Sequence, residues 1–294
     1  MMKMKTKYSS PVVIAEIGCN HKGEIKIAKQ LLKVAADSGV HIAKFQKRNN
    51  KELLTSAQYN APHPNPINSY GVSYGKHREF LEFNLDEHKS LKKYAEQLGL
   101  IYSTSVWDVT SANEIISILP DLIKVPSACN NHYDMLEVLR DNYNGEVHIS
   151  FGMTTHDEEE RIIDFFKSTG QANRLVLYSC TSGYPVPFND VCMLEIIRIK
   201  NKYNDIVKAI GFSGHHLGIA IDIAAYTLGA KYIERHFTLD RTWKGTDHSA
   251  SLEPTGIRKL ARDLNATKEA LSLKRSEILS IEKVQREKLK YRKK

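Results

Sequence analysis

The sequence predicts an α/β protein, a (β/α)8 barrel in one domain with a short basic C-terminal tail. Three observations carry this. Eight short apolar runs alternate with segments of helical period. The length of 294 residues is long for an ordinary domain but suits a barrel, which typically takes about 250. The first strand runs into EIGCNHKG, which is not the GxGxxG turn that usually opens a doubly wound sheet, the alternative architecture. The expected boundaries are 1–270 for the barrel and 271–294 for the tail.

In chain order, PVVIAEI from Pro11 reads as the first strand and IKIAKQLLKVAADSG as the helix behind it. HIAKFQ from His41 is the second strand. The stretch from Lys47 to Lys76 follows; NAPHPNPINSYGVSYG within it argues against a regular element and suggests a functional lid or a flexible segment. DEHKSLKKYAEQLG is helical, and LIYSTS from Leu100 is the third strand. TSANEIISIL, DLIKVPS from Asp121, YDMLEVLRD and EVHIS from Glu146 continue the alternation. HDEEERIIDFFKSTG, RLVLYSC from Arg174, DVCMLEIIRIKNKY and KAIGFS from Lys208 extend it. GIAIDIAAYTLGA, KYIERH from Lys231 and TGIRKLARDLNATKEAL close it. Several helical segments end in glycine, as helix C-termini favour.

No apolar run of about 18 residues occurs, so no membrane span is expected. The basic start MMKMKTKYSSPVV has no apolar core and is not read as a secretory signal. Four scattered cysteines without a CxxC suggest reduced thiols and a cytoplasmic location. Of the net charge of +8, the residues from Leu271 onward carry +6, from nine Lys/Arg against three Glu. Such a tail could touch nucleic acid, but no aromatic interleaving or motif supports that, and a solvated basic helix explains it.

In a barrel the active site lies at the C-terminal strand ends. Here those ends carry Glu16, then Asn20 and His21; Lys44 and Gln46; Ser103 and Thr104; Lys124 and Ser127; Ser150; Thr181, Ser182 and Tyr184; Ser213, His215 and His216; and Arg235, His236 and Asp247. A lone serine there is commonly a helix cap, and a lone histidine a hydrogen-bonded structural residue. A lysine inside an apolar strand is costly unless paired. Lys44 and Lys124 stand at equivalent positions of strands two and four, which implies an anion between them. At about 4 Å and an effective dielectric near 20, one such pair is worth roughly 4 kcal/mol before desolvation. His215 and His236 end adjacent strands, about 4.8 Å apart, so both imidazoles can reach one divalent ion whose other positions stay open. Glu16 and Asp247 are candidate acid/base or hydroxyl-binding groups.

AEIGCNHKGEIKIAKQLL, AKFQK, YGKHREFLEF, CTSGYP, GFSGH and GAKYIERHFTLDRTWKGTDHSASLEP together resemble the sialic acid synthase family, from about Pro11 to Leu271. The resemblance implies a (β/α)8 barrel that uses Mn2+ or Mg2+ to condense phosphoenolpyruvate with an N-acylated amino sugar, releasing phosphate. It implies that Lys44, Gln46, Thr104, Lys124, Ser127, Ser150, Ser182 and Ser213 hold phosphoenolpyruvate, that His215 and His236 hold the metal, and that Glu16, Tyr184 and Asp247 face the sugar. YGKHREFLEF and TWKGTDHSASLEP resemble the branch acting on sugar 6-phosphates, with Lys76, His77, Arg78 and Lys244 in reach of a second phosphate. Related nonulosonic acids (legionaminic, pseudaminic or KDN type) are alternative products. A homodimer is expected. Pro126 and Ala128 beside Ser127, and Phe151, depart from the family pattern, and the chain ends before the small C-terminal domain that many members carry. The rival readings are a Schiff-base aldolase on Lys44 or Lys124, and a barrel that binds an anionic sugar without catalysis.

Overall fold

The computed structural model describes residues 8–291; the first residues of the basic start and Arg292, Lys293 and Lys294 of the tail lie outside it. Eight parallel strands close into a barrel in chain order: β1 Val12–Gly18, β2 Ile42–Lys47, β3 Ile101–Val106, β4 Leu122–Val125, β5 Glu146–Ser150, β6 Leu175–Cys180, β7 Ala209–Gly214 and β8 Tyr232–His236. Each run expected to be a strand forms one. Helices α1 Ile25–Asp37, α5 Leu85–Gln97, α6 Val109–Ile116, α7 Tyr133–Asn142, α8 His156–Lys167, α9 Glu195–Tyr203, α10 Ala220–Leu228 and α11 Pro254–Ala270 pack outside. Beyond α11 the tail forms α12, Ser280–Leu289, with no buried side chain. No helix among the described residues is long and apolar enough to cross a membrane.

The segment from Lys47 to Lys76 differs from expectation. It holds α2 Asn50–Leu53, α3 Ser56–Asn60 and a 3-10 turn at Pro66–Asn68, and it enters α4 Tyr74–Phe80. Side-chain caps explain this: Asn49 accepts from the Lys51 N–H, Thr55 and Gln58 form a reciprocal capping box, and Ser73 accepts from the Lys76 N–H. Proline and glycine restrict a chain, but cap residues start short helices between them.

Strand residues alternate between two environments. Outward side chains such as Val13, Phe45, Tyr102, Ile123, Ile149, Leu177, Phe212 and Ile233 join the buried layer under the helices. Inward, Ile14, Ile42, Leu122, Val176, Tyr178 and Tyr232 form a small apolar plug. One step toward the C-terminal ends the interior turns polar. Glu16 is registered beside Lys44, Ser105 beside Lys124, and Ser213 beside Glu234.

Arg235 faces outward at the end of β8 and is among the largest fully buried side chains. Its guanidinium donates to the Gly218 carbonyl at 2.7 Å, the Asp222 carboxylate at 2.5 Å and the His216 carbonyl at 2.6 Å. This fastens the loop after β7 to β8, and the neighbours of the clamped residues, His215 and His236, face the other way. Removing one partner of a buried ion pair leaves an uncompensated charge, which costs about 3–5 kcal/mol. Arg235→Met is therefore expected to lower the unfolding free energy by about 3 kcal/mol or more, and Arg235→Lys by less, in urea titrations. An Arg235→Met protein as stable as wild type would remove the clamp from the account.

Candidate active site

A cavity of about 410 Å³ opens at the C-terminal end of the barrel. Glu16, Lys44, Gln46, Lys124, Ser127, Ser150, Ser182, Ser213, His215, His236, Tyr184 and Asp247 all line it. Every strand except β3 thus brings an expected residue to one place.

On β3 the alternation places a neighbour there instead. Thr104 faces outward and donates to the Tyr102 hydroxyl at 2.9 Å. Ser105 lines the cavity and accepts from Lys44 Nζ at 2.8 Å. A run of Ser-Thr-Ser reads equally well in either phase, and only register settles it.

The centre of the cavity floor is a charge layer. Lys44 contacts Glu16 directly, and its Nζ lies 3.8 Å from Glu234. Lys124 Nζ lies 3.2 Å from the same Glu234 carboxylate, which also accepts from the Ser213 hydroxyl at 2.9 Å. The anion expected between the two lysines is therefore, in this structure, a side chain of the protein. Glu234 was missed because it was read as part of an apolar strand. The signal was present: an acid between Ile233 and Arg235 on an interior face has the same burial problem as the lysines.

The four charges titrate apart. Burial would raise Glu234, but Lys124 and Lys44 hold it well below the ordinary carboxylate range. Burial dominates at Glu16 and pushes its carboxyl up, against the pull of Lys44. Lys44, facing two carboxylates, is raised despite its burial. Lys124 is lowered by burial and by Lys44, with Glu234 opposing. Carboxylates whose environments push them in opposite directions suit different roles.

The rim is held by backbone geometry. Gly18 has φ of +53°, and a Cβ there would lie 3.0 Å from Gln46 Nε2 and 3.1 Å from Glu16 Oε1, so glycine lets these two side chains bond at 3.0 Å. A Cβ on Gly152 would come within 2.4 Å of the Ser182 hydroxyl and 2.7 Å of the Ser127 hydroxyl. Ser127 starts a 3-10 turn after Pro126 and accepts from the Gly152 N–H at 2.9 Å. Phe151 points into the outer hydrophobic layer, so its bulk stays out of the cavity.

The His215 and His236 rings lie 5.4 Å apart. His215 Nδ1 is 2.9 Å from the Thr181 carbonyl, so it carries the proton and Nε2 keeps its lone pair. Burial, then His236, pushes His215 down to about 4, which keeps it neutral. His236 Nδ1 is buried with no hydrogen-bond partner, and Asp247 Oδ2 lies 3.8 Å away. A neutral His215 and the orphaned nitrogen of His236 fit a divalent ion. Among the described residues no group of three potential ligands forms, so any ion would need oxygen donors from water or substrate.

Asp247 is brought over the cavity by a loop that satisfies itself. Asn20 donates to the Phe237 carbonyl and the Ser251 hydroxyl, both at 2.9 Å; Thr238 bonds His248 at 2.7 Å; Arg241 donates to the Ser249 carbonyl. Asn20 is thus a tether. His21 stacks on Phe83 at 4.0 Å and does not line the cavity. Tyr184 stands over His215, with ring centroids 4.3 Å apart.

The four residues expected near a second phosphate separate. Lys76 is exposed and paired with Glu79 at 2.9 Å. Lys244 is exposed, 5.0 Å over the Tyr70 ring. His77 lines the cavity, and its Nδ1 accepts from the Tyr70 N–H at 3.0 Å. Arg78 lines the cavity between the rings of Tyr74 and Trp107, with a buried Nε that has no partner. Arg48, which sequence reasoning missed, joins it from the end of β2, paired with Glu82 at 2.5 Å.

The NeuB family model matches residues 31–276. The chain belongs to the NeuB family. It is 36% identical over 277 residues to human N-acetylneuraminate-9-phosphate synthase, covering 94% of this chain and 76% of that protein. It is 31% identical to the N,N'-diacetyllegionaminic acid synthase of Campylobacter jejuni, over 88% of this chain and 77% of the other. The solved N-acetylneuraminic acid synthetase of Leptospira borgpetersenii, in complex with citrate, superposes with a TM-score of 0.80 at 27% identity, over 97% of this chain and 94% of that one. A 3-deoxy-D-arabino-heptulosonate 7-phosphate synthase of Thermotoga maritima shares the fold at 14% identity and a TM-score of 0.64. Like its named relatives in the family, this NeuB chain is an enzyme.

The β3 register yields a contrast. If the cavity takes the phosphoenolpyruvate that the family resemblance implies, Ser105→Ala is expected to weaken its binding by about threefold or more, because Lys44 loses a hydroxyl that orients it. Thr104→Val is expected to leave binding within about twofold and to cost about 1 kcal/mol of stability. Calorimetric titration of both variants checks this; the reverse order would mean that β3 faces the ligand in the other phase.

Proposed function

We propose that this enzyme condenses phosphoenolpyruvate with an N-acyl amino sugar, releasing phosphate and forming a nonulosonic acid, and that the acceptor is a sugar 6-phosphate. The charge layer of Lys44, Lys124, Glu16 and Glu234 supports the first part: two buried ammonium groups and several hydroxyls converge on the floor of one cavity. Lys44, Lys124, Gln46 and the serines at 105, 127, 150, 182 and 213 would hold the phosphate and carboxylate of phosphoenolpyruvate. Glu16 and Glu234 hold Lys44 protonated before the substrate arrives, and Glu234 pairs with Lys124.

His215 and His236 would hold a divalent ion, which when bound would polarise the acceptor's aldehyde. The C3 carbon of phosphoenolpyruvate forms the new bond to the aldehyde carbon. Glu16, whose carboxyl is raised, is placed to supply the proton that the aldehyde oxygen takes up. Water adds its oxygen at C2 and returns one proton to the Glu16 carboxylate; the C2–O bond to phosphate then breaks as the new C2 hydroxyl becomes the keto oxygen and its proton leaves with the phosphate. Tyr184 and Asp247 flank the acceptor at the mouth and orient it.

Arg78 supports the second part. A guanidinium with an orphaned buried nitrogen, beside Arg48 on the cavity wall, is an unsatisfied anion site. N-acetylneuraminate-9-phosphate synthases are among the chain's relatives, which agrees with a phosphorylated acceptor. The Schiff-base alternative has one observation in its favour, the lowered Lys124. Against it, Lys124 is ion-paired, and Lys44 is held protonated.

The test is phosphate release from phosphoenolpyruvate with N-acetylmannosamine and with its 6-phosphate, with Mn2+ and with chelator. Activity is expected with the metal only and with the 6-phosphate preferred. Arg78→Met is expected to raise KM for the 6-phosphate by about tenfold or more, with little effect on the free sugar. A clear preference for the free sugar would overturn the phosphorylated acceptor. No phosphate release with any amino sugar, together with a borohydride-stable adduct, would overturn the reaction itself.

A further inference from the structure

Beneath the charge layer the barrel holds a second polar chain that the proposed reaction does not use. Lys124 Nζ sits 3.4 Å from the centroid of the Tyr178 ring as well as 3.2 Å from Glu234. The Tyr178 hydroxyl bonds His148 Nδ1 at 2.7 Å. His148 Nε2 in turn bonds Glu146 at 3.0 Å. Glu146 also accepts from the Tyr232 hydroxyl at 3.1 Å and pairs with Lys208 at 2.6 Å. Tyr178 and His148 are wholly buried.

The order of donors follows from the ends. The Glu146 carboxylate only accepts, so His148 carries its proton on Nε2 and accepts from Tyr178 on Nδ1. The imidazole, backed by a carboxylate, fixes the direction of the phenol O–H, and because conjugation keeps that O–H in the ring plane, the hydrogen bond favours one ring plane. The ring presents its negative face to a desolvated ammonium, the geometry in which cation–π attraction is strongest. Lys124 needs such a seat. It faces Glu234 on β8, Lys44 on β2 and Cys180 on β6, and it shares the Glu234 carboxylate with Lys44.

We propose that Tyr178 is a positioning residue for Lys124: its ring is the seat that holds the ammonium at the cavity floor, and His148 and Glu146 lock that ring in place. This rests on the phosphoenolpyruvate reading for its effect on binding, and not for the contact itself. The prediction separates ring from hydroxyl. Tyr178→Leu removes the seat and is expected to weaken phosphoenolpyruvate binding about tenfold to thirtyfold, with KM for the acceptor unchanged. Tyr178→Phe keeps the ring and is expected to lose less than about threefold. In a Lys124→Met background, Tyr178→Leu should cost nothing further, because the two residues act as one unit.

A readout without substrate accompanies these. In protein carrying 15N-lysine, the Lys124 ammonium protons are expected upfield of other lysines through the ring current. The displacement should persist in Tyr178→Phe and vanish in Tyr178→Leu. Wild-type protein without the displacement overturns the seat, even if Tyr178→Leu does not fold. So does equal loss of binding in Tyr178→Phe and Tyr178→Leu, or full loss on adding Tyr178→Leu to Lys124→Met. Wild-type protein that shows the displacement and binds no phosphoenolpyruvate supports the seat and overturns the reading of the ligand.

Discussion

The structure depends on one buried carboxylate. Glu234 lies within the barrel between Lys124 and Lys44, and without it two ammonium groups would face each other in a medium that cannot solvate them. With Glu16 beside Lys44, the layer sets two carboxyl groups against two amines and is closed by hydroxyls. That closure lets a barrel core be polar halfway along its axis. Below it, Ile14, Ile42, Leu122 and Val176 pack around the Tyr178–His148–Glu146 chain. Above it, the loops need only supply what the layer lacks: imidazoles at one side and guanidiniums at the other.

The two sides are built differently. His215 and His236 stand at strand ends and inherit their positions from the barrel, reinforced by the Arg235 clamp on the outer face of the same strands. Arg78 and His77 come from a short helix after β2, so their placement depends on caps at Asn49, Thr55 and Ser73. The part of the cavity nearest the charge layer is therefore the most rigidly specified, and the wall that carries Arg78 and His77 rests on loop chemistry. Division of this kind lets one scaffold keep its chemistry while acceptors vary.

Most of the fold was legible in the sequence because period and length agree: eight apolar runs of four to seven residues, each followed by an amphipathic helix, admit few closed arrangements. The short helices between β2 and α5 were not, because Pro, Asn and Gly restrict conformation without showing where a cap begins a turn. Within the site, strand-end residues such as Lys44, Lys124, His215 and His236 were legible because a charge in an apolar run needs a partner. Glu234 was hidden by the Arg-His pair that follows it, and Ser105 by a run of hydroxyls with no preferred phase. Arg48 and Arg78 differ from Lys76 and Lys244 only by the way the backbone turns, which charge patterning does not encode.

The most direct measurement is calorimetric titration of phosphoenolpyruvate into folded wild-type, Lys44→Met and Lys124→Met protein, alongside the acceptor KM of each. If the charge layer is the phosphoenolpyruvate site, each variant loses about a hundredfold or more in phosphoenolpyruvate affinity, as expected when a buried charge-assisted contact is removed, and the acceptor constant moves far less. Folded variants that bind phosphoenolpyruvate as wild type does, or that lose both substrates equally, would contradict the account.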